Sequence, residues 1–334
     1  MARTPTQAQI AAVEAILSGA EKQIQDAFLA AIYAARGRID LGALIDALER
    51  RDIQAAIEML RFDQSLLWPL EEAIRGTFLQ GGAAVAGTLP AGLQGRFGFN
   101  GRHPRAEELI RQQGAALVQV MEAEQIDAMR VVLTDAVEQS RPSRQVALDI
   151  TGRMNKATGR REGGIVGLTS QQTDWIISAR RELDGLDAGY FGRKLRDKRY
   201  DKLVAAAIKI GKPLPVADVD RIASRYKDRM LDYRGKLIAR NEAHQAQAQG
   251  RHEAYQQMLD GPDVERIEKK WIHGFSREPR EDHRAMDGKT IRFGEDFIMS
   301  DGARMAYPHD PRGGARHNLS CRCTLFYRAV PRRD

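Results

Sequence analysis

The chain of 334 residues has only two cysteines, Cys321 and Cys323, and aromatic residues make up only 6% of it. Two cysteines provide no disulfide framework, and cysteines two apart in a strand lie too far from each other to bridge comfortably. No apolar run approaches the roughly 20 residues that a membrane-spanning helix needs. The N-terminus lacks the charged-then-apolar pattern of a secretory signal. These absences favour a soluble protein that is kept in a reducing cytoplasm.

The charge is distributed unevenly along the chain. The sequence has 52 Lys and Arg against 45 Asp and Glu, which gives a net charge of +7. Residues 141–240 alone carry +11, whereas residues 1–140 carry −5 and residues 241–334 carry +1. Because basic surfaces attract polyanions such as DNA, the middle segment is the candidate for contact with nucleic acid. The acidic N-terminal segment is the candidate for contact with protein.

Hydrophobic periodicity predicts a mainly α fold with a small C-terminal α+β module. Apolar residues recur at helical spacing over most of the chain, and one long helix is expected near 216–259. At 1.5 Å per residue this helix would measure roughly 60 Å, which predicts an elongated helical body. The expected organisation is an N-terminal helical region at 1–80, a glycine-rich linker or loop at 81–102, a helical body with the basic segment at 103–260, and the α+β module at 261–334.

Local patterns give further expectations. In the glycine-rich segment, Phe97 and Phe99 either dock on a neighbouring molecule or pack into the protein's own core, and the second is favoured. Residues 159–168 are glycine-rich and basic, which predicts an exposed connection. Thr169 is a good capping residue for a helix over 170–183.

The C-terminal module is predicted to mix short strands with one short helix. Turn residues and alternating apolar residues mark its elements. They are a strand at 267–275, a helix from Pro279 to the turn at Asp287-Gly288, a strand with Ile291 and Phe293, a hairpin turn at Ser300-Asp301-Gly302, and a last strand at 322–330.

Histidines and cysteines of this module form a candidate metal site. Arg280 and His283 are three residues apart and would share a helix face, and Cys321 and Cys323 would share a strand face. Zinc prefers four nitrogen or sulfur ligands, so the candidate ligands are Cys321, Cys323, His283 and His317. Two alternatives stay open. The thiols are small buried apolar groups beside a hydrogen-bonded histidine, or the cluster is catalytic, as in a metal-dependent nuclease or a cysteine nucleophile.

A run of basic residues lies at 193–202 and is interrupted by Asp197 and Asp201. Such a run either neutralises DNA phosphates without reading sequence or forms a solvated surface. Helix-turn-helix and zinc-finger patterns are missing, and so is a phosphate-binding GxxxxGK[ST] loop. The candidate DNA-contact residues are Arg193, Lys194, Arg196, Lys198, Arg199 and Lys202.

Several motifs of the C-terminal part recur together: Trp271, Arg280-x-x-His283-x-x-Met286-Asp287-Gly288, Pro308, Cys321-Arg322-Cys323 and, upstream, Ile238-Ala239-Arg240-Asn241-Glu242. With these residues the chain resembles the phage Mu F-like head morphogenesis family of minor head proteins, over about residues 95–330 and most specifically over 238–323. Two places depart from the family pattern: Asn241 stands where Thr is customary, and Leu319-Ser320 stands before the cysteines where Asn is usual.

The resemblance implies a structural minor head protein of a tailed bacteriophage. Family members lie inside the head of the virion, near the portal vertex, after assembly in the host cytoplasm. The implied partners are the portal protein, packaged double-stranded DNA and, as a further candidate, the major capsid protein. No membrane contact, no enzymatic activity and no cofactor are expected, with zinc kept as an option at the thiols. The alternative is a metal-dependent, nuclease-like enzyme. The family-motif residues could serve the fold, a metal or a further activity.

Overall fold

The computed structural model describes residues 4–61, 63–274 and 280–332, and it confirms a mainly α fold with a small C-terminal α+β module. The helices are α1 (Pro5–Arg38), α2 (Leu41–Glu49), α3 (Ile53–Glu58), α4 (Trp68–Ala83), α5 (Pro104–Glu138), α6 (Ser143–Thr151), α7 (Ser170–Asp184), α8 (Asp201–Ile210), α9 (Val216–Asp260), α10 (Glu281–Ala285) and α11 (Gly314–Asn318). The strands are β1 (Arg153–Asn155), β2 (Arg160–Glu162), β3 (Val264–Ile272), β4 (Thr290–Arg292), β5 (Phe297–Ile298), β6 (Arg304–Met305) and β7 (Thr324–Pro331). Within these described residues, no helix is both long and apolar enough to cross a membrane.

The chain forms two compact units, each assembled from separate stretches of sequence. The first unit contains Met1–Ala27, Pro69–Ala115 and Lys236–Asp334, and the second contains Phe28–Trp68 and Ala116–Gly235. The first unit therefore gathers N-terminal helical residues, the glycine-rich segment and the C-terminal module. The second unit holds the basic part of the chain.

The predicted long helix is confirmed as α9, which has 45 residues. Its apolar side chains contribute to both cores, with Ile222 buried in the second unit and Tyr255 buried in the first. Pro215 precedes the helix, and Gly261-Pro262 follows it. A proline is tolerated at a helix start but cannot continue a helix, so these residues set its ends.

The glycine-rich segment at 81–102 packs into the core of the first unit. Three of its apolar side chains are buried: Val85, Leu89 and Leu93. Phe97 and Phe99 pack against the same apolar cluster, so the expectation that the two rings cover the protein's own core is confirmed. The end of α4 and a 3-10 turn at Ala86–Thr88 lie within this segment, although its glycines predicted a loop or linker.

The expectation that residues 159–168 form an exposed connection is wrong. Residues 163–168 are buried in the second unit, and the buried Arg36 guanidinium donates hydrogen bonds to the carbonyl oxygens of Gly164 at 2.7 Å and Val166 at 2.9 Å. Glycine permits this burial, since a Cβ at Gly164 would lie 2.7 Å from the backbone of α6. The basic residues lie at the start of the segment, and the apolar residues that follow enter the core.

The predicted helix start at Thr169 is confirmed. The Thr169 hydroxyl accepts a hydrogen bond from the Gln172 N–H at 3.2 Å, and the Gln172 side chain accepts one from the Thr169 N–H at 3.2 Å. This reciprocal pair is a capping box, which satisfies two backbone donors at the beginning of α7.

The C-terminal module is built on a three-stranded antiparallel sheet with the strand order β4-β3-β7. In β3, Ile267, Lys269 and Trp271 are buried, and Trp271 lies opposite Leu325 of β7. The fully buried Trp271 ring contacts Phe297 edge to face, with 5.1 Å between the ring centroids. Trp271 is therefore at the centre of the module's core.

Most of the module's smaller elements follow the sequence prediction, but the sequence pattern does not predict the second short helix, α11. The turn at Ser300-Asp301-Gly302 joins β5 to β6, and Gly302 has a φ of +86°, which glycine adopts at little cost. The short helix is α10, whose capping residue is Arg280. Phe275 and Pro279, which were assigned to the predicted strand and helix, lie outside the described residues.

Glycines bring α4 and α9 close together in the first unit. A Cβ at Gly250 would lie 2.0 Å from the carbonyl oxygen of Phe78, and a Cβ at Gly81 would lie 2.6 Å from the carbonyl oxygen of Gln247. Backbone atoms cannot move aside as the end of a flexible side chain can. The two helices can therefore lie this close only because residues 81 and 250 are glycines, which have no Cβ atom.

We expect Gly250→Ala to destabilise the protein by about 1–3 kcal/mol, because the added methyl group forces the helices apart. Urea unfolding followed by circular dichroism measures this change. The control is Gly19→Ala, at an exposed position of α1 where a Cβ would have no atom within 4 Å. The control substitution should stabilise by up to about 1 kcal/mol. Equal effects of the two substitutions would contradict the close-packing argument.

Candidate metal centre

One buried histidine and two buried thiols converge in the C-terminal module. His283 Nδ1 lies 3.4 Å from Cys321 Sγ and 3.5 Å from Cys323 Sγ. The Cys323 backbone N–H donates to Cys321 Sγ at 3.3 Å. One ligand atom from each of the three residues lies within 4.8 Å of the other two. The structure therefore brings together three of the four residues that the sequence suggested as metal ligands.

Neighbouring groups fix the position of His283. The edge of its imidazole meets the Trp271 ring, with centroids 5.6 Å apart. The Arg280 guanidinium, at the start of α10, donates a hydrogen bond to the carbonyl oxygen of Leu319. This bond ties the helix that carries His283 to the chain just before Cys321.

His317, the fourth suggested ligand, lies on the other side of the His283 ring from the sulfurs. His283 Nε2 lies 3.3 Å from His317 Nδ1, and His317 Nε2 lies 3.0 Å from Asp301 Oδ2. The two histidine rings are nearly parallel, with 5.5 Å between their centroids. His317 thus orients the His283 ring, and it is His283 that faces the two sulfur atoms.

The Asp301 carboxylate ends this row of side chains. Hydrogen bonds from the Ala303 N–H and then from the His317 ring hold the pKa of Asp301 below its usual range. An ionised carboxylate accepts the N–H of His317 and so selects its tautomer. The sequence marked Asp301 only as a hairpin residue, because its distance of 16 residues from His317 is not a motif spacing.

The pKa values of the two thiols are shifted in opposite directions. Their mutual hydrogen bond raises the pKa of Cys321 and lowers the pKa of Cys323, and burial adds to the rise at Cys321. Hydrogen bonding from His283 further favours the thiolate form of Cys323. A thiolate is the form that binds a metal or acts as a nucleophile.

A second pair of histidines lies near the thiols. His244 and His309 stack with centroids 4.8 Å apart. Burial lowers the pKa of His244 to about 4 and the pKa of His309 well below its ordinary value, so both rings are neutral at neutral pH. Neither ring nitrogen of His309 has a hydrogen-bond partner in the part of the chain that the structure describes.

Other family-motif residues shape the backbone around the cluster. Asp287 accepts a hydrogen bond from the His273 N–H at 2.9 Å. Gly288 has a φ of +78°, and its N–H donates to the Trp271 carbonyl oxygen at 2.9 Å. These residues close the turn between α10 and β4. Arg322 is exposed between the two buried cysteines.

The upstream motif residues lie on α9. Arg240 is partly exposed. The Glu242 carboxylate accepts a hydrogen bond from the Gln113 side chain at 2.8 Å, and burial raises the pKa of Glu242. Asn241 Oδ1 accepts a hydrogen bond from the Ser320 N–H at 2.9 Å. The helix is thereby joined to the residue that precedes Cys321.

The candidate DNA-contact residues do not form one helical face. Lys198 lies in a short 3-10 turn at Lys198–Tyr200, and Lys202 lies in the first turn of α8. Three of the arginines are held by carboxylates of the same unit: Arg193 by Glu182, Arg196 by Asp201, and Arg199 by Asp197. The lysines at 194, 198 and 202 are exposed, and no ion pair involves them among the described residues.

The burial of the His283 cluster limits its chemistry. Cys321 is 3% exposed, Cys323 is 6% exposed and His283 is 2% exposed. Catalytic metal sites keep an open position that substrate can reach, whereas structural sites are closed by protein ligands. The arrangement therefore suits a structural site.

Ser320 offers a test of the motif's backbone geometry. Its φ of +56° places it in the left-handed region, where Asn is better tolerated than Ser. We expect Ser320→Asn to stabilise the protein by up to about 1 kcal/mol, measured by urea unfolding. The control is Leu319→Asn, at a half-exposed neighbour with an extended backbone of φ −60°. A gain from the control alone would contradict the interpretation.

Comparison with known proteins gives the same family as the motif residues. Residues 203–326 match the family described as Phage Mu protein F like protein. The protein YqbB of Bacillus subtilis (strain 168), described as uncharacterized, is 34% identical over 95 residues, which cover 28% of this chain and 30% of YqbB. No solved structure shows significant similarity. The resemblance is thereby confirmed over part of the chain: residues 203–326 are similar to the phage Mu F-like family.

Proposed function

We propose that this protein is a structural minor head protein of a tailed bacteriophage, located inside the head near the portal. The observation that carries the proposal is the family match over residues 203–326. The matched stretch contains most of α8, all of α9 and the C-terminal module as far as the first residues of β7. Head morphogenesis is the role associated with this family.

A structural role agrees better with the geometry than an enzymatic one. The thiol–histidine cluster is buried, and its polar groups bind one another. A nuclease needs an accessible metal with an open coordination position. The nuclease-like alternative therefore has less support than a role in assembly.

The first proposed partner is the portal protein, and co-purification tests this contact directly. We expect the full chain to co-purify with the portal protein of its own phage when both are expressed together. The complex should survive nuclease treatment, because the proposed contact is between proteins. A portal protein from an unrelated phage is the control. Loss of the complex after nuclease treatment would show that DNA alone joins the two proteins.

Contact with packaged DNA is proposed for the exposed lysines of the second unit. Lys194, Lys198 and Lys202 extend into solvent, whereas the arginines between them are neutralised by carboxylates. Contact with phosphates releases bound counterions, so this binding should be independent of sequence and should weaken steeply as salt is raised.

We expect replacement of Lys194, Lys198 and Lys202 by Gln to weaken binding to random-sequence double-stranded DNA. Each lost phosphate contact reduces the slope of log affinity against log salt by about 0.9, so the triple variant should lose up to about 2.7. Fluorescence anisotropy across a salt series measures this slope.

The control variant removes the same charge elsewhere in the second unit. It replaces the exposed residues Lys156, Lys209 and Lys212 by Gln. If both triple variants lose the same slope, net charge alone governs binding, and the three lysines at 194, 198 and 202 form no specific contact surface.

A further inference from the structure

We propose that His283, Cys321 and Cys323 bind one Zn²⁺ ion as a structural site, with His309 as the fourth ligand. The ion would join α10 to the chain that enters β7. The proposal rests on distances, hydrogen-bond directions and burial within the first unit.

Both nitrogen–sulfur distances of the cluster already match a tetrahedral zinc complex. With Zn–S bonds of about 2.3 Å and Zn–N bonds of about 2.0 Å, tetrahedral angles place a sulfur and a nitrogen about 3.5 Å apart. His283 Nδ1 lies 3.4 Å from one sulfur and 3.5 Å from the other. The residues would therefore need little movement to accept the ion.

The hydrogen bonds behind His283 leave the correct nitrogen available. Asp301 accepts the N–H of His317 Nε2, so His317 Nδ1 can accept the N–H of His283 Nε2. His283 then presents a lone pair on Nδ1 towards the sulfurs. Metal-binding histidines commonly donate their other N–H to an acceptor in this way. This row provides partners for His283 Nε2 and for both ring nitrogens of His317, and the contact of His283 Nδ1 with the sulfurs would be replaced by its bond to the ion.

The ligand set selects the kind of metal. Two thiolates and one imidazole are soft or borderline donors, which prefer zinc over magnesium or calcium. Two thiolate charges also balance the charge of a divalent ion, so the closed site need not bury net charge. Both cysteines are free thiols.

His309 has the properties of the missing ligand. Its ring is buried, neither ring nitrogen makes a hydrogen bond of good geometry among the described residues, and the ring has only a weak polar contact with the backbone of Cys321. Buried polar atoms of this kind require an explanation. Its nitrogens lie outside the 4.8 Å set, so the ring would have to move towards the thiols to bind the same ion.

The test begins with the wild-type full chain, purified under reducing conditions without chelator. Mass spectrometry of the metal content should find about one zinc per chain. Exchange for Co²⁺ should give the sulfur charge-transfer and visible bands of a tetrahedral thiolate complex. A strong chelator should lower the unfolding temperature, since an ion that binds the folded state stabilises it.

Variants separate the ligands from their neighbours. Cys323→Ser and His283→Ala should abolish zinc binding, and His309→Ala should weaken the visible Co²⁺ bands of tetrahedral coordination. His317→Ala should keep the zinc but raise its dissociation constant about 10–100-fold, because it removes only the acceptor behind His283.

The matched control is His252→Leu, which changes another histidine of the same unit. His252 stacks on Phe293 at 4.4 Å and bonds the Tyr327 hydroxyl at 3.1 Å, so this variant should keep one zinc per chain.

The proposal is wrong if the reduced wild-type chain binds no zinc on reconstitution, or if its Co²⁺ spectrum lacks sulfur bands. Wild-type zinc content in both Cys321→Ser and Cys323→Ser would equally overturn it. Full occupancy and unchanged Co²⁺ bands in His309→Ala would overturn the assignment of the fourth ligand.

Discussion

The meeting of His283 with the two thiols is the contact on which the C-terminal module depends. It joins α10, which follows β3, to the residues that enter β7, and these strands are neighbours in the sheet. The module is small, and small cores gain little from apolar burial alone. A polar contact near its centre, against the fully buried Trp271, therefore matters to a larger fraction of the fold than it would in a large domain.

The same contact explains why the motif includes residues far apart in sequence. The chain before Cys321 is held by Arg280 through the Leu319 carbonyl and by Asn241 through the Ser320 N–H. Asn241 and Ser320 both lie at places that depart from the family pattern, and they bind each other directly. The Asn241 side chain on α9 thus binds a residue in the left-handed region, and because the donor is a backbone N–H, the bond does not depend on the side chain at position 320.

The sequence predicted local features well because local chemistry determines them. The length of α9 follows from its flanking prolines, the start of α7 from the Thr169 capping box, and the β5–β6 turn from Gly302. The burial of residues 163–168 does not follow from local sequence, because it depends on Arg36, which is more than 120 residues away in the chain. The sequence also does not show that His317 and Asp301 lie behind His283. Only the folded backbone shows which nitrogen of the His283 ring faces the thiols and which faces His317.

Many basic side chains of residues 141–240 form ion pairs with carboxylates inside the second unit. Lys227 lies 2.7 Å from Asp149, which also pairs with Arg141. Arg153 and Arg180 share Asp220 at 2.9 and 2.7 Å. Removing one member of a buried ion pair is costly because its partner is left uncompensated, so these cations serve the fold. Net charge along the sequence therefore overstates the surface that is available to DNA. Exposed lysines without a carboxylate neighbour are better candidates, because their charge is not already neutralised by the protein.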